Sequence, residues 1–122
     1  MTKVIFDSSF LMAVAEHPTT WFEDIAENIG KLEPVVLECV LAELARLAST
    51  QGRRSRAASV AIEIAEEFSH APCGGARPDQ EIASAALTMK AAVATADLDL
   101  ARSLKARRVR VFGLRSGRVA LL

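Results

Sequence analysis

The sequence predicts an α/β fold in three layers, a central and mostly parallel sheet flanked by helices. Three observations predict it. Short apolar runs (Val4-Ile5-Phe6, Val35-Val36-Leu37, Ala91-Ala92-Val93-Ala94 and Val109-Arg110-Val111-Phe112) alternate with longer segments of helical periodicity, as parallel strands joined by crossover helices require. The first and third of these runs close within three residues on an acid, Asp7 and Asp97, as strands do when they deliver side chains to the carboxyl edge of a sheet. With 51% hydrophobic residues over 122 positions, the chain can bury one core, so a single domain spanning 1–122 is expected.

In chain order, Lys3-Val4-Ile5-Phe6 reads as a buried first strand ending at Asp7-Ser8-Ser9. Ser8 or Ser9 is expected to cap a helix that begins with Phe10-Leu11-Met12 and stops near His17-Pro18. Thr19 or Thr20 starts a second helix, Trp21 to Asn28, with Trp21, Ile25 and Ile29 on one stripe and Gly30 as its stop signal. Pro34-Val35-Val36-Leu37 is the second strand, its proline at the start, where a missing N–H is tolerated. Glu38 to Ser49 is helical, with Val40, Leu41, Leu44 and Leu47 inward, and Gln51 to Arg56 breaks the pattern. The next helix is expected from Ala57 to Ser69, with Val60, Ile64 and Phe68 on its inner face. A loop from Cys73 to Pro78, preceded by a short edge strand, leads to a helix opened by Asp79 and carrying Ile82, Ala86 and Met89 inward. Ala91 to Thr95 is a short buried strand, Asp97 opens a helix to Ala106, Val109 to Phe112 is a strand, and Arg118 to Leu122 adds a final edge strand.

Composition excludes several functions. Fifteen basic residues balance fifteen acidic ones, so no global field draws the chain to nucleic acid or lipid, and any polyanion binding must be local. Cys39 and Cys73 form no CxxC pair and are too few for a four-ligand zinc site; free thiols, Cys39 in the core and Cys73 in a loop, are expected. Asp7 interrupts the only N-terminal apolar run, and no stretch reaches ~18 apolar residues, so a cytoplasmic protein without membrane contact is expected. Neither a P-loop nor a dinucleotide-binding glycine motif is present.

The acids carry the chemistry. Asp7, Asp79 and Asp97 stand at strand-to-helix or loop-to-helix junctions, and Glu43 lies one step off the apolar stripe of its helix. Taken singly, Asp79 and Asp97 are helix caps and Glu43 is an ordinary surface glutamate. Converging on one pocket, the four would repel strongly and call for protons or a cation. All-oxygen ligands favour Mg²⁺ or Mn²⁺, which polarise a phosphate and acidify water, as phosphodiester hydrolysis needs.

These residues resemble the motifs of the PIN-domain family, the metal-dependent nuclease fold of toxin ribonucleases and ribosomal RNA processing nucleases. Val4-Ile5-Phe6-Asp7-Ser8-Ser9 is similar to its opening motif, and Val40-Leu41-Ala42-Glu43-Leu44 to its helix-borne glutamate. Asp79-Gln80-Glu81-Ile82 resembles its Asp-x-x-Ile helix start, Thr95-Ala96-Asp97-Leu98-Asp99-Leu100 its Thr-Asn-Asp-x-x-Leu segment, and Ala106 to Phe112 its closing basic-hydrophobic strand. The sequence departs at Ser9 and Ala96, where many members carry asparagine. The resemblance implies Mg²⁺- or Mn²⁺-dependent endonucleolytic hydrolysis of single-stranded RNA. Asp7 and Asp97 would be the principal ligands, Glu43 and Asp79 would complete the cluster, and Ser8, Ser9 and Thr95 would fix the carboxylates by hydrogen bonds. It also implies a homodimer and, for a toxin-type member, an antitoxin partner. The alternative is a PIN-fold module that binds RNA or protein without cutting.

Arg53, Arg54 and Arg56 form the densest basic cluster, read either as a solvated interhelical loop or as an RNA-guiding rim, with Lys105, Arg107 and Arg108 as a further group. His17 and His70 are expected at exposed helix ends. A haloacid dehalogenase-like phosphatase would want an acid where Ser9 stands, and a response-regulator receiver would want paired acids at strand one and a late lysine; neither pattern is met.

Overall fold

Strand β1 (Thr2–Phe6) occupies the middle of the sheet, and the reason is in its residues: Val4, Ile5 and Phe6 are fully buried. A strand so apolar on both faces needs neighbours on both edges and helices above and below. The computed structural model describes residues 1–122 and meets that need with one six-stranded sheet of order β3-β2-β1-β4-β5-β6, flanked by six helices.

The remaining elements follow in order: α1 (Ser8–Glu16), α2 (Trp21–Ile29), β2 (Leu32–Leu37), α3 (Glu38–Ala48), α4 (Arg53–Ala65) and β3 (Ser69–Ala71). Then come α5 (Pro78–Met89), β4 (Ala92–Ala94), α6 (Leu98–Ala106), β5 (Val111–Arg115) and β6 (Arg118–Leu121). Every pairing is parallel except β5 with β6, so the expected fold class holds. The β5–β6 hairpin turns through Ser116 and Gly117, both in the left-handed region at φ 50° and 78°, as a two-residue type I′ turn requires. No helix is long and apolar enough to cross a membrane.

Several local expectations are corrected. Pro34 lies within β2 rather than at its start; β3 pairs with β2 only from Val35 onward, so the strand is still open on that side at the proline. Helix α4 begins at Arg53, four residues earlier than expected, and ends at Ala65, so Arg53, Arg54 and Arg56 sit on its first turn and not in a loop. Its buried face is Ala57, Ala58, Ala61 and Ala65, while Val60 is exposed. Packed against both α1 and α3, α4 needs small side chains for close approach, and packing overrides the larger apolar residues. Phe68, beyond the end of α4, still packs inward, 5.0 Å from the Phe6 ring, in a cluster with Phe10 and Trp21. Cys39 and Cys73 are not free thiols: they form a disulfide, their Cα atoms 6.0 Å apart, tying the first turn of α3 to the loop before α5.

A buried acid unrelated to the predicted site holds the carboxyl-terminal hairpin. Asp24 on α2, 3% exposed, accepts hydrogen bonds from the Val119 N–H and the Arg118 guanidinium, each at 3.1 Å, and from the Thr20 hydroxyl. The Val119 N–H, above all, and then Arg118 and Thr20 hold this carboxyl below its ordinary value of 3.8, against the opposing effect of burial. A depressed carboxylate stabilises the fold above its unfolded pKa and loses that contribution as pH falls through its folded pKa. Asp24→Asn is therefore expected to lower the melting temperature at neutral pH, with the gap to wild type closing below pH 3.8. A gap independent of pH would assign the effect to shape alone.

Candidate active site

Strand order reverses at β1: the chain leaves it toward β2 on one side, and β4 lies on the other. Open α/β sheets bind ligands at such a switch point, beyond the carboxyl ends of the strands. The ends of β1 and β4 are in register there, Phe6 opposite Ala94, and the Asp7 N–H donates to the Ala94 carbonyl at 2.9 Å. Asp7 and Thr95 thus emerge side by side although 88 residues separate them.

Asp7 occupies the N-cap position of α1 but caps nothing with its side chain, and neither Ser8 nor Ser9 caps this helix as expected. The carboxylate, in a residue 5% exposed, is held from above instead: Ser9 Oγ donates to Oδ2 at 2.6 Å and Thr95 Oγ1 at 2.7 Å. Each hydroxyl is itself oriented by a backbone donor, Ser9 by the Ala96 N–H at 3.0 Å and Thr95 by the Asp97 N–H at 3.0 Å. Two polarised donors on one oxygen fix the carboxylate's rotation. Ala96 replaces a side chain yet keeps this backbone contact, so its substitution leaves the network closed.

Asp97 is the N-cap of α6, its Oδ1 accepting from the N–H groups of Asp99 and Leu100 at 2.9 and 3.2 Å. The capping and site roles are compatible, since Oδ2 has no donor. Glu43 is half-buried on α3 and accepts from Ser8 Oγ at 2.8 Å, which ties α3 to the start of α1. Asp79 corrects the expectation of a cap: Arg77 holds the N-cap position, Pro78 opens α5, and Asp79 is its second residue. Its carboxyl is raised above the ordinary value of 3.8, first by desolvation and then by the charges of Asp7, Asp97 and Glu43, with Arg77 opposing.

The four acids do not form a ready-made cage. No three of the chain's His, Cys, Asp and Glu side chains stand close enough together to hold one ion. The donor chemistry nonetheless fits a hard divalent cation: only oxygens are offered, and Asp7 Oδ1, Asp97 Oδ2, Glu43 Oε2 and both Asp79 oxygens carry no hydrogen bond. Around the acids, the arginine cluster divides. Arg54 lines a cleft of about 410 Å³ together with Ser8, Ser9, Glu16 and Glu43, whereas Arg53, 3.6 Å from Glu16, and Arg56 line a second hollow that Glu16 also borders but Glu43 does not. His17 is exposed at the end of α1, as expected; His70 is exposed too, but it lies in β3 and not at a helix end.

The model of the PIN-like domain family matches residues 4–117. The chain belongs to this family. Among solved structures, the PIN domain endonuclease Utp24 is similar over 98% of this chain and 90% of its own, with 26% identity and a TM-score of 0.77. A domain of a functionally unknown protein from Methanocaldococcus jannaschii DSM 2661 is similar over 95% of this chain and 93% of its own, at 18% identity and a TM-score of 0.64, a likeness of fold alone. No curated protein matches the sequence significantly. The match of the PIN-like family to residues 4–117 takes in every acid described above. Sequence reasoning missed Asp24, Arg102 and Arg115; for Arg102 the signal available was its three-residue spacing from Lys105, which puts both on one helix face.

Proposed function

We propose that this PIN-like protein is an endoribonuclease that hydrolyses single-stranded RNA with Mg²⁺ or Mn²⁺. The observation that carries the reading is the meeting of the β1 and β4 ends, where Ser9 and Thr95 both hold the Asp7 carboxylate and Thr95 in turn accepts from the Asp97 N–H. The membership in the PIN-like family and the likeness to a PIN domain endonuclease support it. Asp7 and Asp97 would hold the ion, with Glu43 and Asp79 completing the negative field. When bound, the ion supplies Lewis acidity at the phosphodiester and makes water acidic enough to attack near neutral pH. The chain's own part is positional. Ser9 and Thr95 lock Asp7, the cap bonds lock Asp97, and Ser8 steers Glu43. A homodimer and, for a toxin-type member, an antitoxin partner are what the family resemblance implies.

Incubation of an unstructured RNA with the purified protein tests the reading: cleavage should require Mn²⁺ or Mg²⁺, stop with chelator, and disappear in Asp97→Asn while RNA binding persists. A PIN-fold module that binds RNA without cutting is the second reading, favoured by the absence of a three-carboxylate grip. Binding by wild type without cleavage under any divalent ion would select it.

Divalent metal should also stabilise the fold by relieving carboxylate repulsion. Binding to the native state alone adds ~2.7 kcal/mol at a hundredfold excess over Kd. The wild-type melting temperature is expected to rise with millimolar Mn²⁺; a melt indifferent to the ion counts against any metal role. For the arginines, only Arg54 borders the acids, so Arg53→Ala with Arg56→Ala should leave RNA affinity nearly intact. Arg54→Ala should raise KM and flatten the plot of log K against log salt by roughly 0.7, one phosphate contact on a single strand. Equal effects from all three positions would refute this division.

A further inference from the structure

The edge that carries the acids is bordered by two clefts, and each contains one of the two hydroxyls that hold Asp7. One is the Arg54 cleft, in which Ser9 takes part. The other, about 300 Å³, opens between α6 and β5, with Thr95 and Ala96 at its inner end. Ser9 and Thr95 belong to different clefts, yet their hydroxyl oxygens are 3.2 Å apart and both donate to Asp7 Oδ2. The two clefts therefore adjoin, as two arms, at the hydroxyl pair bonded to Asp7.

The α6–β5 arm combines an apolar wall with a cationic rim. Leu98, Leu114 and Leu122 provide the wall; Arg102, Lys105 and Arg115 provide the rim, and no acid lines it. Leu98 is 66% exposed on the first turn of α6, a large apolar side chain that the core does not use. Gly113 lets Leu122 lie against the floor of β5, because a Cβ there would come within 2.8 Å of Leu122 Cδ1. Lys105 and Arg115 take part in none of the chain's ion pairs. Arg102 is paired only with Asp99, both side chains largely in solvent, a contact too weak to withhold its charge from a phosphate. In a chain of zero net charge, an acid-free arm with three cations is a local attraction for a polyanion, and the apolar wall asks for something with a flat uncharged face.

We infer that the α6–β5 arm seats one nucleotide of a single-stranded RNA, resting on the nuclease reading above: its base lies against Leu98, Leu114 and Leu122, and its flanking phosphates lie on Arg102, Lys105 and Arg115. A single strand is required because only a splayed-out base can reach such a wall. The volume, at the small end of the ~300–1,000 Å³ typical of ligand clefts, suits one nucleotide and not a run of them. Apolar contact without hydrogen-bonding groups at the wall makes the seat tolerant of base identity. The strand then continues over Asp7 into the Arg54 arm, so that nucleotides are held on both sides of the acids, which favours internal cuts over trimming from an end.

The test reads binding, not cleavage, in the full chain carrying Asp7→Asn, so that it stands apart from the nuclease assay. Fluorescence anisotropy of a labelled short single-stranded RNA is followed over a salt series. Lys105→Ala with Arg115→Ala should flatten the salt slope by roughly 1.4, two phosphate contacts, while Lys105→Arg with Arg115→Lys keeps it. Leu98→Ala, an exposed change that spares the core, should weaken intact RNA about threefold or more and leave an abasic strand of the same length unaffected. The inference is overturned if the paired alanine variant keeps the wild-type slope, or if Leu98→Ala weakens both strands equally. It is overturned too if a polyglutamate peptide displaces the RNA as well as unlabelled RNA does, since the arm would then be a general anion surface. Failure of wild type to cut RNA with Mn²⁺ would sink the nuclease reading without touching these binding results.

Discussion

Asp7→Asn is expected to reduce metal-dependent RNA cleavage by roughly a thousandfold, the worth of several kcal/mol of transition-state charge stabilisation at about 1.4 kcal/mol per tenfold. Asparagine keeps the size of the side chain and one oxygen able to accept from Ser9 and Thr95, so the ends of β1 and β4 should stay in place. What it removes is the charge. Two consequences separate this from unfolding. The Asp79 carboxyl should titrate closer to its ordinary 3.8, because one of the charges that raise it is gone. The melting temperature without metal should hold or rise, while the gain from Mn²⁺ shrinks. Single-turnover cleavage and a carboxyl titration by NMR read both. A variant that cuts at the wild-type rate would move the chemistry away from this edge.

The second large effect concerns the Cys39–Cys73 bridge, which closes a loop over a sequence separation of 34. Chain-entropy reasoning gives about 4 kcal/mol of stability from constraining the unfolded chain over that length. Reduced wild type and a Cys39→Ser, Cys73→Ser double variant are expected to unfold at the same, lower urea concentration than the oxidised protein. The bridge also has a place near the site. Cys39 precedes Glu43 by one helical turn on α3, and the loop holding Cys73 leads to Asp79 on α5. Reduction should thus slow cleavage as well as weaken the fold, and a urea midpoint unmoved by reductant would refute the pairing.

The acids were legible in the sequence because a buried parallel strand is an apolar run, and its end is marked when the run stops on Asp or Thr. Val4-Ile5-Phe6-Asp7 and Ala92-Val93-Ala94-Thr95 each state locally where the carboxyl edge lies, while Glu43 and Asp79 stood out by their helix positions and the family motifs matched them. The same local rule failed for α4. Its inner face is alanine, which hydropathy ranks below the exposed Val60, and only the nearness of α1 and α3 made small residues the ones to bury.

By itself, the sequence determined the order of strands and helices, the parallel character of the sheet and the junctions at which the acids stand, since all of these follow from periodicity within a few residues. Tertiary structure alone decided which distant groups meet. Asp24 reaches Arg118 across 94 residues, Cys39 reaches Cys73 across 34, and the rim of the α6–β5 cleft joins Lys105 to Arg115 from separate elements. No local pattern encodes such meetings, because side chains on different elements come together only through the packing of the sheet and its helices.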